Sequence, residues 1–513
     1  MERTVILLML IAVISKILGF AREIILSYFY GASNISDAYL ISLSVPVVIF
    51  TFVGLAISTG YIPMYSKIER DLGEKEGIRY TNNLINILFI VCTSIVLLGM
   101  LFTEEIVKVF ASGFKGETLA LAVQFTRISL FSIYFIGIVS VFSGFLQIKG
   151  NYTLPSSIGF PFNLFIIISI VLSSVKSVGI LPFGVILAYF SQLLLLVPAV
   201  YKKGYRYELI TNFKDKYIIQ LTRLTLPVII GGSVNRINTL VDRTIASQLA
   251  VGGISALSYS NKLDEFIQGI FVAPICTTMY PIMTKMVVEN NIKGLRETVS
   301  KMICSVSLLL IPASVGSMIF AEPVVRFLFL RGAFDLNAVH MTSSALFFYS
   351  IGMMSFGLRE ILSRAFYSLQ DTKIPMINAT IAVIINIILN FVLSKFMGIG
   401  GLALATSISG IICTVLLLIS FRRKIGLYDM KNVFVTIAKI TSASLLMGII
   451  AKLAHIVLLK FLGQNLSLML AIAIGVLIYF VIVYFMKIKE LQPLIILIKK
   501  KCFRILHLQD NSF

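Results

Sequence analysis

What this sequence has little of is charge. Only 13% of its 513 residues are Asp, Glu, Lys or Arg, whereas 58% are apolar and the mean hydropathy is +0.95. This balance lies far outside the range of soluble proteins. Apolar runs of about 20 residues, the length at which a helix crosses a bilayer, recur from Val5 to Met486 with only short polar breaks. The chain is therefore predicted to be an all-α integral membrane protein.

A hydrophilic stretch long enough for a water-soluble domain is also missing, which excludes an attached ATPase. Transport would then depend on an ion gradient, the membrane potential or a partner. No HExxH motif or G-K-S/T phosphate loop occurs, and the three histidines are isolated. The five cysteines share no metal-type spacing, which favours reduced packing residues. The first apolar segment lacks a small-residue cleavage site, so we expect it to be retained as a helix.

Fourteen helices are predicted from the apolar runs and their polar, Gly or Pro boundaries. They span 5–29, 37–65, 81–102, 118–147, 155–174, 178–201, 217–247, 254–284, 298–320, 340–368, 375–395, 400–421, 433–457 and 466–486. Basic residues concentrate in alternate connections such as 66–80 and 202–216, so the positive-inside rule places both termini in the cytoplasm. The net charge of +20 reflects this topology, because the basic residues form no continuous arm of the kind that binds nucleic acid.

The sequence repeats itself with a period of about 217 residues. Matching segments are 106–113 with 324–332, 130–137 with 346–352, 184–188 with 401–405, and Ile35-Ser36 with Ile254-Ser255. Chance similarity among apolar helices is the alternative. The repeat predicts two six-helix lobes, 1–201 and 217–421, in the same orientation, with the substrate site in a central cavity between them. The two extra helices occupy 433–486, and the basic amphipathic tail 488–513 is expected on the cytoplasmic leaflet.

Several charged residues fall inside predicted helices, where each costs about 2.5 to 3.5 kcal/mol on insertion scales. They are Lys16, Arg22 and Glu23 in the first helix, Arg236, Asp242 and Arg243 in the seventh, and Lys262, Asp264 and Glu265 in the eighth. The five cations of this set outnumber the nearby carboxylates Glu23 and Asp242. A cavity with surplus positive charge favours a polyanion such as a pyrophosphate. The alternatives are internal ion pairs at Arg22-Glu23 and Asp242-Arg243, and a Lys262 side chain that extends to the membrane interface.

A second polar group lies on the eleventh predicted helix, where Asn386 and Asn390 are one turn apart. Together with Asp242 and Thr406 they would form an oxygen-rich cluster suited to a small hard cation such as Na⁺. Ordinary hydrogen bonding between helices through the amides is the alternative.

Six segments carry a family resemblance: Ser15 to Glu23, Gly31-Ala32, Ser36 to Tyr39, Val241 to Ser247, Ala256 to Leu263 and Arg364 to Pro375. They resemble signatures of the MurJ (MviN) lipid II flippases in the multidrug/oligosaccharidyl-lipid/polysaccharide (MOP) exporter superfamily, and the resemblance covers essentially the whole chain. It implies alternating access between the lobes, with the diphosphate and sugars of lipid II in the cationic cavity. The polyprenyl tail would occupy a groove lined by helices 13 and 14.

The resemblance also implies roles for individual residues. Arg22 matches the central arginine of the family, Glu23 its acidic neighbour and Asp37 the acid at the start of helix 2. Lys16 and Lys262 stand where many members have arginine, so the charge is kept without the bidentate fork. A family arginine in helix 2 has no counterpart in 47–51, which leaves Arg236 to share the grip on phosphate. The cluster of Asp242, Asn386, Asn390 and Thr406 matches a sodium site described for some members, with Asn390 where a carboxylate can occur.

The predicted function is therefore that of a transporter in the bacterial cytoplasmic membrane that flips lipid II for cell-wall synthesis. The nearest alternative is a flippase for another polyprenyl-diphosphate-linked unit, of capsule or O-antigen. A drug antiporter would have about twelve helices and an acidic or apolar cavity. A glycosyltransferase would need carboxylates on sizeable outer loops, whereas 103–117 and 321–339 are short. We expect a monomer with lipid II and membrane lipids as partners, cell-wall synthases as associates, and Na⁺ or the membrane potential for coupling.

Overall fold

The computed structural model describes residues 2–426 and 430–488, which form helices joined by short turns. The helices are α1 Glu2–Tyr30, α2 Asn34–Ala56, α3 Ile62–Leu72, α4 Glu74–Leu101, α5 Thr103–Phe110, α6 Gly116–Ser129, α7 Ser132–Ile148, α8 Thr153–Ser157, α9 Gly159–Val175, α10 Ile180–Lys202, α11 Lys216–Leu249, α12 Gly253–Val288, α13 Ile292–Ile319, α14 Ala321–Phe329, α15 Leu336–Ser368, α16 Lys373–Ile425, α17 Met430–Leu458 and α18 Gln464–Phe485. The predicted all-α membrane fold is thus confirmed.

Among the described residues, ten helices are long and apolar enough to cross a bilayer. The pair α6 and α7, bent by 42°, adds an eleventh span. Helix α16 has 53 residues and would be about 80 Å long if straight, more than two bilayer cores of about 30 Å, but it breaks at Gly398, where φ is 55°. This break confirms the predicted turn between helices 375–395 and 400–421. The apolar spans of the described residues therefore number ten or eleven, and the count of fourteen, which also includes α1, α11 and the two halves of α16 as separate spans, stays a prediction.

Short amphipathic helices occupy connections that were predicted as loops. The predicted loop 66–80 is largely helical. A π-helical turn at Ile57–Tyr61 ends α2, and α3 follows directly. Pro63 is in the first turn of α3, where no backbone N–H is needed. Helices α5 and α14 lie within the predicted outer loops 103–117 and 321–339. A hydropathy window of membrane-span length averages over elements this short and half polar, so it does not detect them.

Contacts divide the described residues into two compact units. The first contains 2–266, 328–345 and 383–405, and the second contains 267–327, 346–382 and 406–488. In the first unit α2 packs on α6 and α11, while α9 packs on α1 and α10. All the predicted site residues except Thr406 belong to this unit. The lobe boundaries derived from the repeat stay a prediction.

The second unit has its own apolar core. Residues of α12, α13, α15 and α16 bury side chains such as Cys276, Val299 and Ile361 in one cluster. Helices α17 and α18 pack on each other and on α13, where the Tyr479 hydroxyl donates to the Leu308 carbonyl at 2.7 Å. The two helices outside the repeat are therefore joined to α13 by a buried polar contact as well as by apolar packing.

Candidate functional site

Helix α1 holds Arg22 and Glu23 against α9. The Arg22 guanidinium donates to Glu23 Oε1 at 2.5 Å, with side-chain exposures of 16% and 2%. Another Arg22 nitrogen donates to Asn163 Oδ1 at 3.4 Å, and the guanidinium lies 5.9 Å from the centre of the Phe162 ring. The internal ion pair, one of the alternatives that the sequence left open, is therefore present. It holds the Arg22 guanidinium beside α9.

A more accessible group of charges lies between α1 and α12. Lys262 Nζ is 2.6 Å from Glu265 Oε2, and exposed Lys16 interacts electrostatically with both residues. Phe20 of α1 stacks on Phe266 of α12 with ring centres 5.1 Å apart, which holds the two helices together. Because a charged side chain facing lipid at this depth would be costly, the accessible lysines are expected to line a water-filled cavity.

Arg243 connects these groups to α11. It donates to the Ser44 hydroxyl and, at 3.5 Å, to the Leu40 carbonyl of α2. It also interacts electrostatically with Asp242, Glu23, Arg236 and Glu265. The charged residues of three helices thus form one cluster within the first unit. Its cations are Lys16, Arg22, Arg236, Arg243 and Lys262, and its carboxylates are Glu23, Asp242 and Glu265, so positive charge is in excess.

Asp37, in the first turn of α2, is 1% exposed and bonds to the start of α12. Its Oδ2 accepts from the Gly252 N–H at 2.9 Å, and its Oδ1 accepts from the Ser255 N–H at 2.7 Å and from the Ser255 hydroxyl. A carboxylate placed here satisfies first-turn N–H groups of α12 and opposes the positive end of its dipole. The geometry therefore favours a structural role for Asp37 over the predicted contact with substrate.

Beside Asp37, residues related by the sequence repeat are in direct contact. The Ser36 and Ser255 hydroxyl oxygens are 2.8 Å apart. The offset of 219 residues between these serines also separates Gly113 from Gly332 and Tyr28 from Ser247. The two glycines make equivalent contacts, because a Cβ at Gly113 would lie 2.2 Å from the Ser247 carbonyl oxygen and one at Gly332 would lie 2.2 Å from that of Tyr28. Only glycine permits this approach of backbone to backbone at the ends of α1 and α11.

The predicted cation cluster is built around Asn390 of α16. Its Nδ2 donates to Asp242 Oδ1 at 2.6 Å and to Asn386 Oδ1 at 2.8 Å, and all three side chains are buried. Asn238 Nδ2 lies 3.4 Å from Asp242 Oδ2. Carboxylate and amide oxygens suit a hard cation, but the NH₂ group of Asn390 stands between them. The residues fit a small cation once the Asn390 amide turns over and presents its oxygen.

Thr406, the fourth residue of that prediction, belongs to the second unit, and its place in the cluster stays a prediction. Among the residues that the structure describes, no group of three or more His, Cys, Asp or Glu side chains could hold a metal ion.

Comparison with known proteins identifies the family. The sequence model of the family described as lipid II flippase MurJ matches residues 26–473. The chain belongs to the MurJ family. A probable lipid II flippase MurJ of Vibrio cholerae is 30% identical to it over 422 residues, which cover 79% of each chain. That of Thermotoga maritima is 29% identical over 484 residues, 94% of this chain and 96% of the relative.

This MurJ-family chain has the same fold as solved structures of membrane transporters. A structure of lipid II flippase MurJ in an inward closed conformation aligns with a TM-score of 0.83 at 26% identity, covering 96% of this chain and all of that one. An inward-facing multidrug resistance MATE transporter of the MOP superfamily aligns with a TM-score of 0.69 at 14% identity, over 80% of this chain and 94% of that one, and shares the fold alone. The protein is therefore a multi-pass membrane protein of a transporter family.

The sequence indicates some partners of the charged residues and not others. Glu265 is among the charged residues of the eighth predicted helix, and its i+3 spacing from Lys262 is that of the observed ion pair. Asn163 and Ser44 bond to Arg22 and Arg243 across 141 and 199 residues of sequence. No local pattern marks these two, since an isolated Asn or Ser in an apolar helix is common.

Proposed function

We propose that this protein translocates lipid II from the inner to the outer leaflet of the bacterial cytoplasmic membrane. The observation that carries the proposal is the excess of cations in the cluster of α1, α11 and α12, in a chain of the MurJ family. Exposed Lys16 and Arg236 and partly exposed Lys262 would bind the diphosphate directly. Arg22 and Arg243, held by Glu23 and Ser44, would add positive potential from behind.

Alternating access between lobes 1–201 and 217–421 would carry the bound head group across the membrane. Both termini would face the cytoplasm, as the distribution of basic residues indicates. The polyprenyl tail would stay in the apolar layer along 433–486, where α17 and α18 expose side chains such as Leu453 and Leu477. The tail 488–513, expected on the cytoplasmic leaflet, lies beyond the described residues except for Ile488.

Coupling would use the membrane potential or a Na⁺ ion held by Asp242, Asn386, Asn390 and Thr406. The buried carboxylate and amide oxygens support such a site, and the donor position of the Asn390 amide makes its occupancy dependent on rotation of that side chain. Monomeric function and association with cell-wall synthases are part of the same proposal.

The test is whether depletion of this protein in its host stops newly made lipid II from reaching an externally added, membrane-impermeant probe. Wild type is expected to restore exposure, and the triple variant Lys16→Gln, Arg236→Gln, Lys262→Gln is expected to restore little. The matched control Lys67→Gln, Lys75→Gln, Lys115→Gln removes the same charge from exposed positions outside the cluster and should rescue.

Membrane levels of each variant must be equal for this comparison. Rescue by the triple variant at wild-type level would refute the cationic site. Unchanged lipid II exposure after depletion would refute the lipid II assignment and favour another polyprenyl-diphosphate-linked unit as the substrate.

A further inference from the structure

The connection between α10 and α11, residues 203–215, is held along the surface of α4 as an extended segment, which we call the strap. Three buried asparagines of α4 bind it: Asn82, Asn83 and Asn86. Their side-chain amides donate to four backbone carbonyls of the strap, those of Arg206, Glu208, Ile210 and Asn212, at 2.8 to 3.3 Å. Every second carbonyl of 206–212 is thus satisfied by one helix.

The side-chain amide oxygens of the same three asparagines also bind the strap, and we call this set of hydrogen bonds the clamp. Tyr205 and Tyr207 donate their hydroxyls to Asn82 and Asn86 at 2.5 and 2.8 Å. The Asn212 N–H donates to Asn83 Oδ1 at 2.7 Å. Tyr205 is 1% exposed and packs against Phe142 and Phe145. The strap is therefore a fixed part of the first unit and has a defined inner and outer side.

The position of the clamp along α4 sets the depth of the strap. The apolar part of α4 from Ile87 to Leu101 rises about 22 Å, most of a hydrocarbon core of about 30 Å. The asparagines just before it therefore lie where α4 enters the apolar layer. An extended backbone tolerates this depth only when its polar groups are bonded within the protein, and the clamp provides those bonds.

The outer side of the strap combines exposed apolar and basic side chains. Leu209 is 83% exposed and Phe213 is 54% exposed. The basic residues of 202–216, all exposed, are Lys202, Lys203, Arg206, Lys214 and Lys216, and none of them is in an ion pair recorded for the described residues. The two acids of this segment are Glu208 and Asp215. Asp215 caps α11 by accepting from the Tyr217 N–H at 2.7 Å.

We propose that the strap is a rigid anchor for anionic phospholipids of the cytoplasmic leaflet. Its basic side chains bind the phosphate groups of lipids such as phosphatidylglycerol, and Leu209 and Phe213 enter the layer between head groups and acyl chains. Basic and apolar residues at the interface are the combination that anionic bilayers attract. Because the clamp fixes the backbone beforehand, little ordering is needed on binding.

The chain contains no tryptophan, so Leu209→Trp gives a single fluorescent reporter in the full-length protein. We expect its emission to shift to shorter wavelength, and its quenching by iodide to fall, in vesicles containing phosphatidylglycerol relative to phosphatidylcholine vesicles. Lipids brominated near the head-group end of the acyl chain should quench it. Replacing the five basic residues of 202–216 with Gln should abolish the difference between the two lipids.

Leu336→Trp is the matched control, since Leu336 begins α15 with 60% exposure, next to a connection, 330–335, without a basic excess, and its emission should not respond to phosphatidylglycerol. Equal emission and iodide quenching of Leu209→Trp in both vesicles would overturn the proposal. A shift that is independent of the basic residues, or one that requires added polyprenyl diphosphate, would also overturn it. Circular dichroism of the five-Gln variant should match wild type, because all five side chains are exposed.

Discussion

Arg22 has two roles: it stabilises the fold by pairing with buried Glu23, and it adds positive charge to the proposed site. The Glu23 carboxylate is 2% exposed and accepts from Arg22 at 2.5 Å. Removing one member of a buried ion pair leaves the other charge uncompensated, whereas removing both does not. Transport by a variant of Arg22 alone therefore reports two effects at once, loss of positive potential and loss of folding.

Arg22→Ala is expected to destabilise the protein by about 3 to 5 kcal/mol, seen as a lower apparent Tm in detergent. The double variant Arg22→Gln, Glu23→Gln should recover most of that Tm, because neither buried charge remains. Its transport should still be low if Arg22 contributes potential at the site. An unchanged Tm for Arg22→Ala would contradict the structural importance of the pair.

Asn390→Asp is predicted to create sodium dependence. The substitution replaces an amide donor 2.6 Å from Asp242 with a carboxylate, so the two negative charges repel unless a cation lies between them. The variant should gain Tm in NaCl relative to choline chloride, and wild type should gain less. Asn378→Asp, which places a buried carboxylate on the same helix twelve residues before Asn390, is the matched control and should show no Na⁺ response. A Na⁺ response of wild type equal to that of Asn390→Asp would show that the Asn390 amide does not limit cation binding.

At the scale of elements, the sequence predicted the long helices well and the short ones poorly. The break of α16 at Gly398 follows from a run of glycines between two apolar segments, which a local pattern reveals. Helix α5 has only eight residues, three of them charged, so a hydropathy window of membrane-span length does not detect it. The charged residues of the site were found because burial of charge is rare in a membrane. Their partners Asn163 and Ser44 were not, because those contacts join distant segments.

The start of α12 depends on a carboxylate from α2. Asp37→Ala would leave the Gly252 and Ser255 N–H groups and the Ser255 hydroxyl without their acceptor in a buried place. Loss of such a cap costs about 1 to 2 kcal/mol, so we expect a lower apparent Tm. The Tm of Asp37→Asn should lie between those of wild type and Asp37→Ala, because Asn keeps one accepting oxygen. Asn34→Ala, at an exposed position of the same turn, should leave the Tm unchanged. A normal Tm for Asp37→Ala would contradict the structural role of Asp37 and leave the predicted contact with substrate as its role to be tested.

At the scale of the whole molecule, the contacts between repeat-related residues indicate where the proposed alternating access would act. Ser36 and Ser255 touch, and Gly113 and Gly332 seat against Ser247 and Tyr28 in equivalent ways. All these contacts lie at the ends of helices joined by connections with few basic residues, which the positive-inside rule assigns to the outside. Release of substrate to the outer leaflet would require these contacts to separate.

A disulfide at the serine pair should therefore stop transport. The Ser36 and Ser255 oxygens are 2.8 Å apart, so Ser36→Cys with Ser255→Cys needs little movement to reach an S–S bond of about 2.05 Å. The native cysteines are first replaced by Ala. We expect oxidation to abolish lipid II exposure to the external probe and a reductant to restore it. Each single cysteine variant, oxidised in the same way, should keep its activity, which separates the crosslink from the loss of the Ser255 bond to Asp37. If the fully crosslinked protein transports as fast as the protein treated with reductant, the serine contact persists through the transport cycle. The outer opening then forms elsewhere.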